Sequence, residues 1–256
     1  MRRICAVVVM VAVIVIPFCL FDVLPEIGDP QSAPNSHVSD YYIENTINDC
    51  NSPNMVTSVI VDYRAFDTLF ETTVMFLSGV SVLLILSRKP DQKRKHEFKL
   101  NRAPNIGERA VFKTVNKDVM ISVIEPLILI YAIYVLFHGE VSLGGGFQAG
   151  ALIAMAYLLD VMVVKRDKDL LSLTKYKATA IAGLGPFIYA LAGIIAMFGG
   201  GLFLEYGAMP FGIDVAELHS IGILMVEVGV TIGVMCTIIS ILKAIMERVS
   251  FDDDAN

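Results

Sequence analysis

Six apolar runs separated by polar connections set the pattern of the chain, near residues 4–24, 65–87, 119–137, 147–164, 179–199 and 218–242. Each approaches the about 20 helical residues that a bilayer core about 30 Å thick requires. The pattern predicts an all-α integral membrane protein with six transmembrane helices. The first run follows Arg2 and Arg3, as the apolar part of a signal peptide would. It is longer than such a region and has no small-x-small site before Pro25, so it reads as a retained helix that bends or ends near Pro17. In the fifth run Gly183, Gly185, Pro186 and Gly193 predict a kink or close packing. Residues 25–58, rich in Pro, Asn, Ser and acids, show neither helix nor strand periodicity over most of their length. They read as a solvated outer loop lying on neighbouring subunits.

Charge gives the predicted helices a direction. Every Lys and Arg of the 20 in the chain except Arg64 lies before the first run, in the second or fourth connection, or after the last run. Basic residues stay on the cytoplasmic side, so both termini are expected there and residues 25–63, 138–146 and 200–217 outside. The net charge of −6 is an average over these sorted stretches. With 55% hydrophobic residues and a mean hydropathy of +0.65, the composition points to a multi-pass protein of the cell membrane with the lipid bilayer as its main solvent. Nucleic acid is not an expected partner. Of the cysteines, Cys5, Cys19 and Cys236 fall within apolar runs and Cys50 stands alone outside, so neither a disulfide nor a metal site is expected from them. The sequence shows no nucleophile with an orienting base, no zinc-like spacing and no cofactor motif. The Asp252–Asp254 tail reads as disordered.

The most specific stretch is His138-Gly-Glu-Val-Ser-Leu-Gly-Gly-Gly-Phe-Gln-Ala-Gly150. Gly144, Gly145 and Gly146 let the chain reverse between two helices. Gly146, Gly150 and Ala154, spaced by four, share one helix face on which another helix can approach closely. No strand precedes the glycines and no Lys-Ser/Thr follows, which argues against a nucleotide loop. This stretch resembles the signature of the MnhB (MrpB) family, a membrane component of Mrp-type (Mnh-type) sodium/proton antiporters, with Leu143 where that family usually has proline. A second stretch, Val61-Asp-Tyr-Arg-Ala-Phe-Asp-Thr-Leu-Phe-Glu-Thr-Thr-Val74, is similar to the C-terminal end of the large Mrp subunit, or to the small subunit that replaces it in membrane-bound hydrogenases. It has Phe70 where glycine is usual. The two resemblances cover roughly residues 55–245 and imply a fused arrangement: a two-helix segment over 1–87, a basic linker over 88–117, a four-helix MnhB-like segment over 118–246 and an acidic tail over 247–256.

Within apolar runs, ionisable residues are the informative ones, because each is costly unless it faces protein, water or a partner. Glu71 and Asp67 share one face of the second predicted helix; Glu125 beside Pro126 lies in the third and Glu227 in the last, nearest its middle. Carboxylates supply oxygen ligands for a hard cation and can exchange protons, so the four form a candidate ion or proton path; local structural pairing is the alternative. His138 is placed either to relay protons at the outer boundary or to cap its helix. Gln148 is placed to orient water or to cap the turn, and Asp160 to pair with Lys165 or meet solvent. The resemblance implies coupled movement of Na+ and H+ by a hetero-oligomer of antiporter-type membrane subunits, with this chain lining part of the path and not catalytic by itself. Two alternatives stand beside it. One is the sodium-pumping arm of a respiratory complex of hydrogenase or sulfur-reducing type, with iron–sulfur or hydrogenase-like peripheral subunits. The other is a scaffold whose acids are satisfied locally.

Overall fold

The computed structural model describes residues 2–20, 26–32, 34–86, 117–161 and 173–254, and all regular structure among them is helical. Residues 88–116 of the basic linker, and Lys165, lie outside these residues. Contacts divide the chain into two units, Met1–Asn45 and Thr46–Asn256. In the first, α1 (Arg2–Leu20) runs through Pro17 and ends at Leu20.

The expectation of a loop without regular structure over 25–58 is overturned. A π-helical turn (Pro34–Val38) leads into α2 (Ser39–Cys50), and the single turn α3 (Met55–Thr57) continues into a second π-helical turn (Ser58–Tyr63). Hydropathy misses α2 because nearly all of it is polar or exposed. Only Thr46 and Cys50, four apart, are buried. Asp40 in the first turn suits the positive end of the helix, and Asn54 caps α3 by accepting from the backbone N–H of Val56 and Thr57.

In the second unit, four helical stretches are long and apolar enough to cross a membrane. They are α4 (Ala65–Leu86), the Val119–Phe137 part of α5 (Lys117–Phe137), the pair α7 (Lys175–Ala182) and α8 (Leu184–Phe198), and the Val215–Arg248 part of α9 (Val215–Asp254). Between α5 and α7 lies α6 (Gly146–Leu159), whose 14 residues span about 21 Å, short of a bilayer core. The chain is a multi-pass membrane protein. The acidic tail, expected to be disordered, instead continues α9 to Asp254.

The axis of this unit is α9: 61% of its apolar window is buried, against 17–33% for the other three. Around it pack α4, α6, α7 and α8, while α5 packs chiefly on α6. Small residues permit the close crossings. A β-carbon on Gly185 would stand 2.7 Å from Gly233 Cα, so α8 crosses α9 backbone to backbone just after the helix breaks at Gly183. Carbonyls around the second π-turn are taken by side chains: Tyr206 Oη donates to Val61 O at 2.9 Å, Thr68 Oγ1 to Ile60 O at 2.7 Å and Tyr189 Oη to Ala65 O at 2.7 Å. Both tyrosines are fully buried, so these bonds hold the entry of α4 against the α8–α9 core.

Candidate functional site

Between α5 and α6 the backbone of Gly144 and Gly145 takes φ values of +148° and +153°, a region that side chains disfavour. The turn is strapped from outside by the 52–57 segment. Asn54 Nδ2 donates to Gly139 O (2.9 Å) and Ser142 O (2.8 Å), Thr57 Oγ1 donates to Gly139 O (2.7 Å), and Ser52 Oγ donates to Glu140 O (2.9 Å). Below the turn, Gly146 and Gly150 face α9. A β-carbon on Gly146 would run into the carbonyl of Glu227, and one on Gly150 would meet Thr231 O at 2.7 Å. The Thr231 hydroxyl lies 2.8 Å from Glu227 O and 3.0 Å from Gly146 O, joining the two helices.

What the glycines admit is the side chain of Glu227. A β-carbon on Gly139 would stand 2.6 Å from Glu227 Oε1 and 2.8 Å from Oε2, and one on Gly145 3.1 Å from Oε1. Glu227 is 3% exposed, and among the described residues its carboxylate takes part in no hydrogen bond. It borders a cavity of about 190 Å³ whose polar lining is Thr57, Thr68, Glu71, Thr72, Gln148 and Glu227. Glu140, beside the turn, is near enough for its charge to act on Glu227. Burial raises the Glu140 carboxyl above the usual carboxylate range, and a hydrogen bond from Ser220 partly offsets this. Glu227 is buried there, whereas Glu71 and Gln148 are exposed; two acids, a neutral amide and three hydroxyls lining one cavity can bind and exchange a small cation or a proton.

Comparison with known proteins bears on what such a cavity serves. Residues 117–240 match the family described as a domain related to the MnhB subunit of Na+/H+ antiporters, and residues 30–97 match the MbhE family, a component of MBH. A Staphylococcus haemolyticus protein named as antiporter subunit mnhB2 is 31% identical over 140 residues, which are 53% of this chain and 92% of that one. The chain belongs to the MnhB-related family of antiporter subunits. Its fold is also that of a chain in the Mrp complex from Dietzia sp. (TM-score 0.61, 24% identity, covering 95% of this chain and 26% of that one). A chain of the membrane-bound sulfane sulfur reductase, an archaeal respiratory membrane complex, is similar as well (TM-score 0.62, 23% identity, covering 96% and 98%).

Set on these matches, the cavity lies at a seam. Glu71 and the threonines come from the MbhE-related segment, whereas Gln148, the glycine turn and Glu227 come from the MnhB-related segment. The remaining acids of the predicted path sit elsewhere. Asp67 forms an ion pair with Arg64, both exposed. Glu125 is buried on α5 outside the cavity lining, and His138 is exposed, its ring stacked on Tyr134 with centroids 4.1 Å apart and its Nδ1 3.1 Å from Tyr134 O. Asp160 is fully buried, so the expectation that it meets solvent does not hold; Lys165, its other expected partner, lies outside the described residues.

Sequence reasoning missed the outer wall of this MnhB-related fold. His219 Nδ1 lies 2.6 Å from Asp62 Oδ2, and the buried Cys50 thiol is near enough to Asp62 to feel its charge. The only legible signal was that Asp62 and His219 are polar residues at the edges of apolar runs. Burial, with the charge of Asp62, pushes the Cys50 thiol up to about 12. It should therefore stay protonated through pH 9. A water-soluble maleimide is expected to leave Cys50 unlabelled in intact membranes at pH 9 and to label it after denaturation, as read by peptide mass.

Proposed function

We propose that this chain is one membrane subunit of a multisubunit sodium/proton antiporter-type module, and that the Glu71–Glu227 cavity is a station on its ion path. The observation that carries the reading is the convergence of two acids from two family-related segments on one cavity, with Glu227 buried and Glu71 exposed. A carboxylate buried beside such a cavity can take up either a proton or Na+. Alternate occupation by the two ions is the elementary act of exchange. In this reading the chain has six spans with both termini in the cytoplasm, as the sorting of basic residues supports, and α6 belongs to the fourth. Its partners are other antiporter-type membrane subunits.

A second reading keeps the same cavity but powers it differently, as the ion-pumping arm of a redox-driven respiratory complex with iron–sulfur or hydrogenase-like peripheral subunits. The fold shared with nearly the whole length of a sulfane sulfur reductase chain favours it. Purifying the protein from its native membrane in a mild detergent and identifying its companions separates the two. Membrane subunits of antiporter type alone support the first reading, and iron–sulfur or nickel-site subunits in the same particle support the second. A protein that purifies alone contradicts both.

A further inference from the structure

Gln148 stands where two spaces meet. Besides lining the cavity of Glu227, it borders a lateral groove of about 520 Å³ between α5 and α6, with Tyr131, Val135, Leu152 and Met155 as its main apolar walls; Gly144 is the other residue of the turn common to both. The cavity and the groove are thus parted by one glutamine and one glycine. Glu227 Oε1 and Gln148 Oε1 both lie close to Gly145. A β-carbon built there would lie 3.1 Å from Glu227 Oε1 and 3.7 Å from Gln148 Oε1. One oxygen belongs to a 3%-exposed carboxylate that has no hydrogen bond among the described residues, and the other to a neutral amide.

Such a pair has a chemical consequence. A monovalent cation stripped of part of its water needs several oxygen ligands, and a single negative charge neutralises it. The Glu227 carboxylate supplies charge, and the amide oxygen adds a ligand without adding charge. A proton needs the carboxylate alone. The amide oxygen is therefore the part of the site that tells a metal cation from a proton.

We propose that Gln148 Oε1 is a ligand, together with Glu227 Oε1, of a partly dehydrated Na+-sized cation in the cavity beside Gly145, and that it passes the ion between the cavity and the α5–α6 groove. The inference rests on the antiporter-type reading above, and it assigns the cation preference to a residue that carries no charge. The test uses the whole complex in inverted vesicles, with exchange measured against Na+ concentration for wild type, Gln148→Leu, Gln148→Asn and Glu227→Gln, and with complex content checked by co-purification. Gln148→Leu is expected to raise the apparent KM for Na+ about tenfold or more while the maximal rate changes less, and Gln148→Asn to fall between it and wild type. If Gln148→Leu does not assemble, Gln148→Asn alone decides by the same shift. An assembled Gln148 variant with the KM for Na+ of wild type overturns the inference. If Glu227→Gln still abolishes exchange in that case, only the role of Gln148 falls; if Glu227→Gln also exchanges normally, the ion-path reading falls with it.

Discussion

Glu227→Gln is expected to lower Na+/H+ exchange by the assembled complex about tenfold or more, followed in inverted vesicles with a pH-sensitive dye. The amide has the size of the carboxyl it replaces, so packing against Gly139 and Gly145 is kept. The carboxylate has no hydrogen bond among the described residues, so its removal strands no partner, and the amount of assembled subunit should not change. What is lost is the single negative charge and the exchangeable proton. Glu71→Gln, on the other side of the same cavity, is expected to act in the same direction. A scaffold role predicts the reverse order of effects, with normal exchange as long as the protein accumulates. Asp67→Asn serves as a contrast on the same helix. It breaks only an exposed pair with Arg64, and such pairs contribute about 0–1 kcal/mol, so exchange should stay near wild type.

Gly146→Val should act on assembly and not on ion chemistry. Its side chain would occupy the place of the Glu227 carbonyl, which is backbone and cannot swing aside. To make room, α6 must move away from α9, taking Gly150 from Thr231 and breaking the contact of Gly146 O with the Thr231 hydroxyl. Overpacking of this kind costs about 1–3 kcal/mol even where side chains can relax, and here the obstacle is main chain. The expected result is a subunit largely missing from the purified complex, measured by quantitative immunoblot against a companion subunit. Gly200→Ala makes the comparison informative. Unlike Gly146, Gly200 has positive φ (+93°), but no atom lies within 4 Å of a built β-carbon, so that substitution costs only the backbone strain, about 1–2 kcal/mol, and the complex should persist.

The helices that carry the site follow from the hydropathy pattern. Apolar runs with few charges mark α4, α5 and α9, and the glycines in the fifth run mark the break at Gly183. The same pattern is blind to α2, which buries only Thr46 and Cys50 and has no apolar stripe. The stretch from His138 to Gly150 draws notice in the sequence by its glycines, and a turn followed by a close helix crossing is a fair reading of their spacing. What spacing does not contain is the identity of the group that fills the room. Glu227 is 81 residues beyond Gly146, and nothing local to either reports that a carboxylate lies in the turn. Likewise Glu71 and Glu227 stand out one by one as charges in apolar runs, but only the packing of α4 and α6 on α9 brings them to one cavity. Asp67 shows the opposite case. Its partner Arg64 lies three residues away, within reach along one helix turn, so that pairing is open to a reader of the sequence alone.

The central claim, that Na+ and H+ alternate at Glu227, is tested most directly by carbodiimide modification of the purified complex, read residue by residue from peptide masses. A carbodiimide reacts with a protonated carboxyl in an apolar setting, so the account predicts that Glu227 is modified in Na+-free buffer and protected as Na+ is added, with Gln148→Leu requiring more Na+ for the same protection. Modification of Glu227 to the same extent with and without Na+ would contradict it.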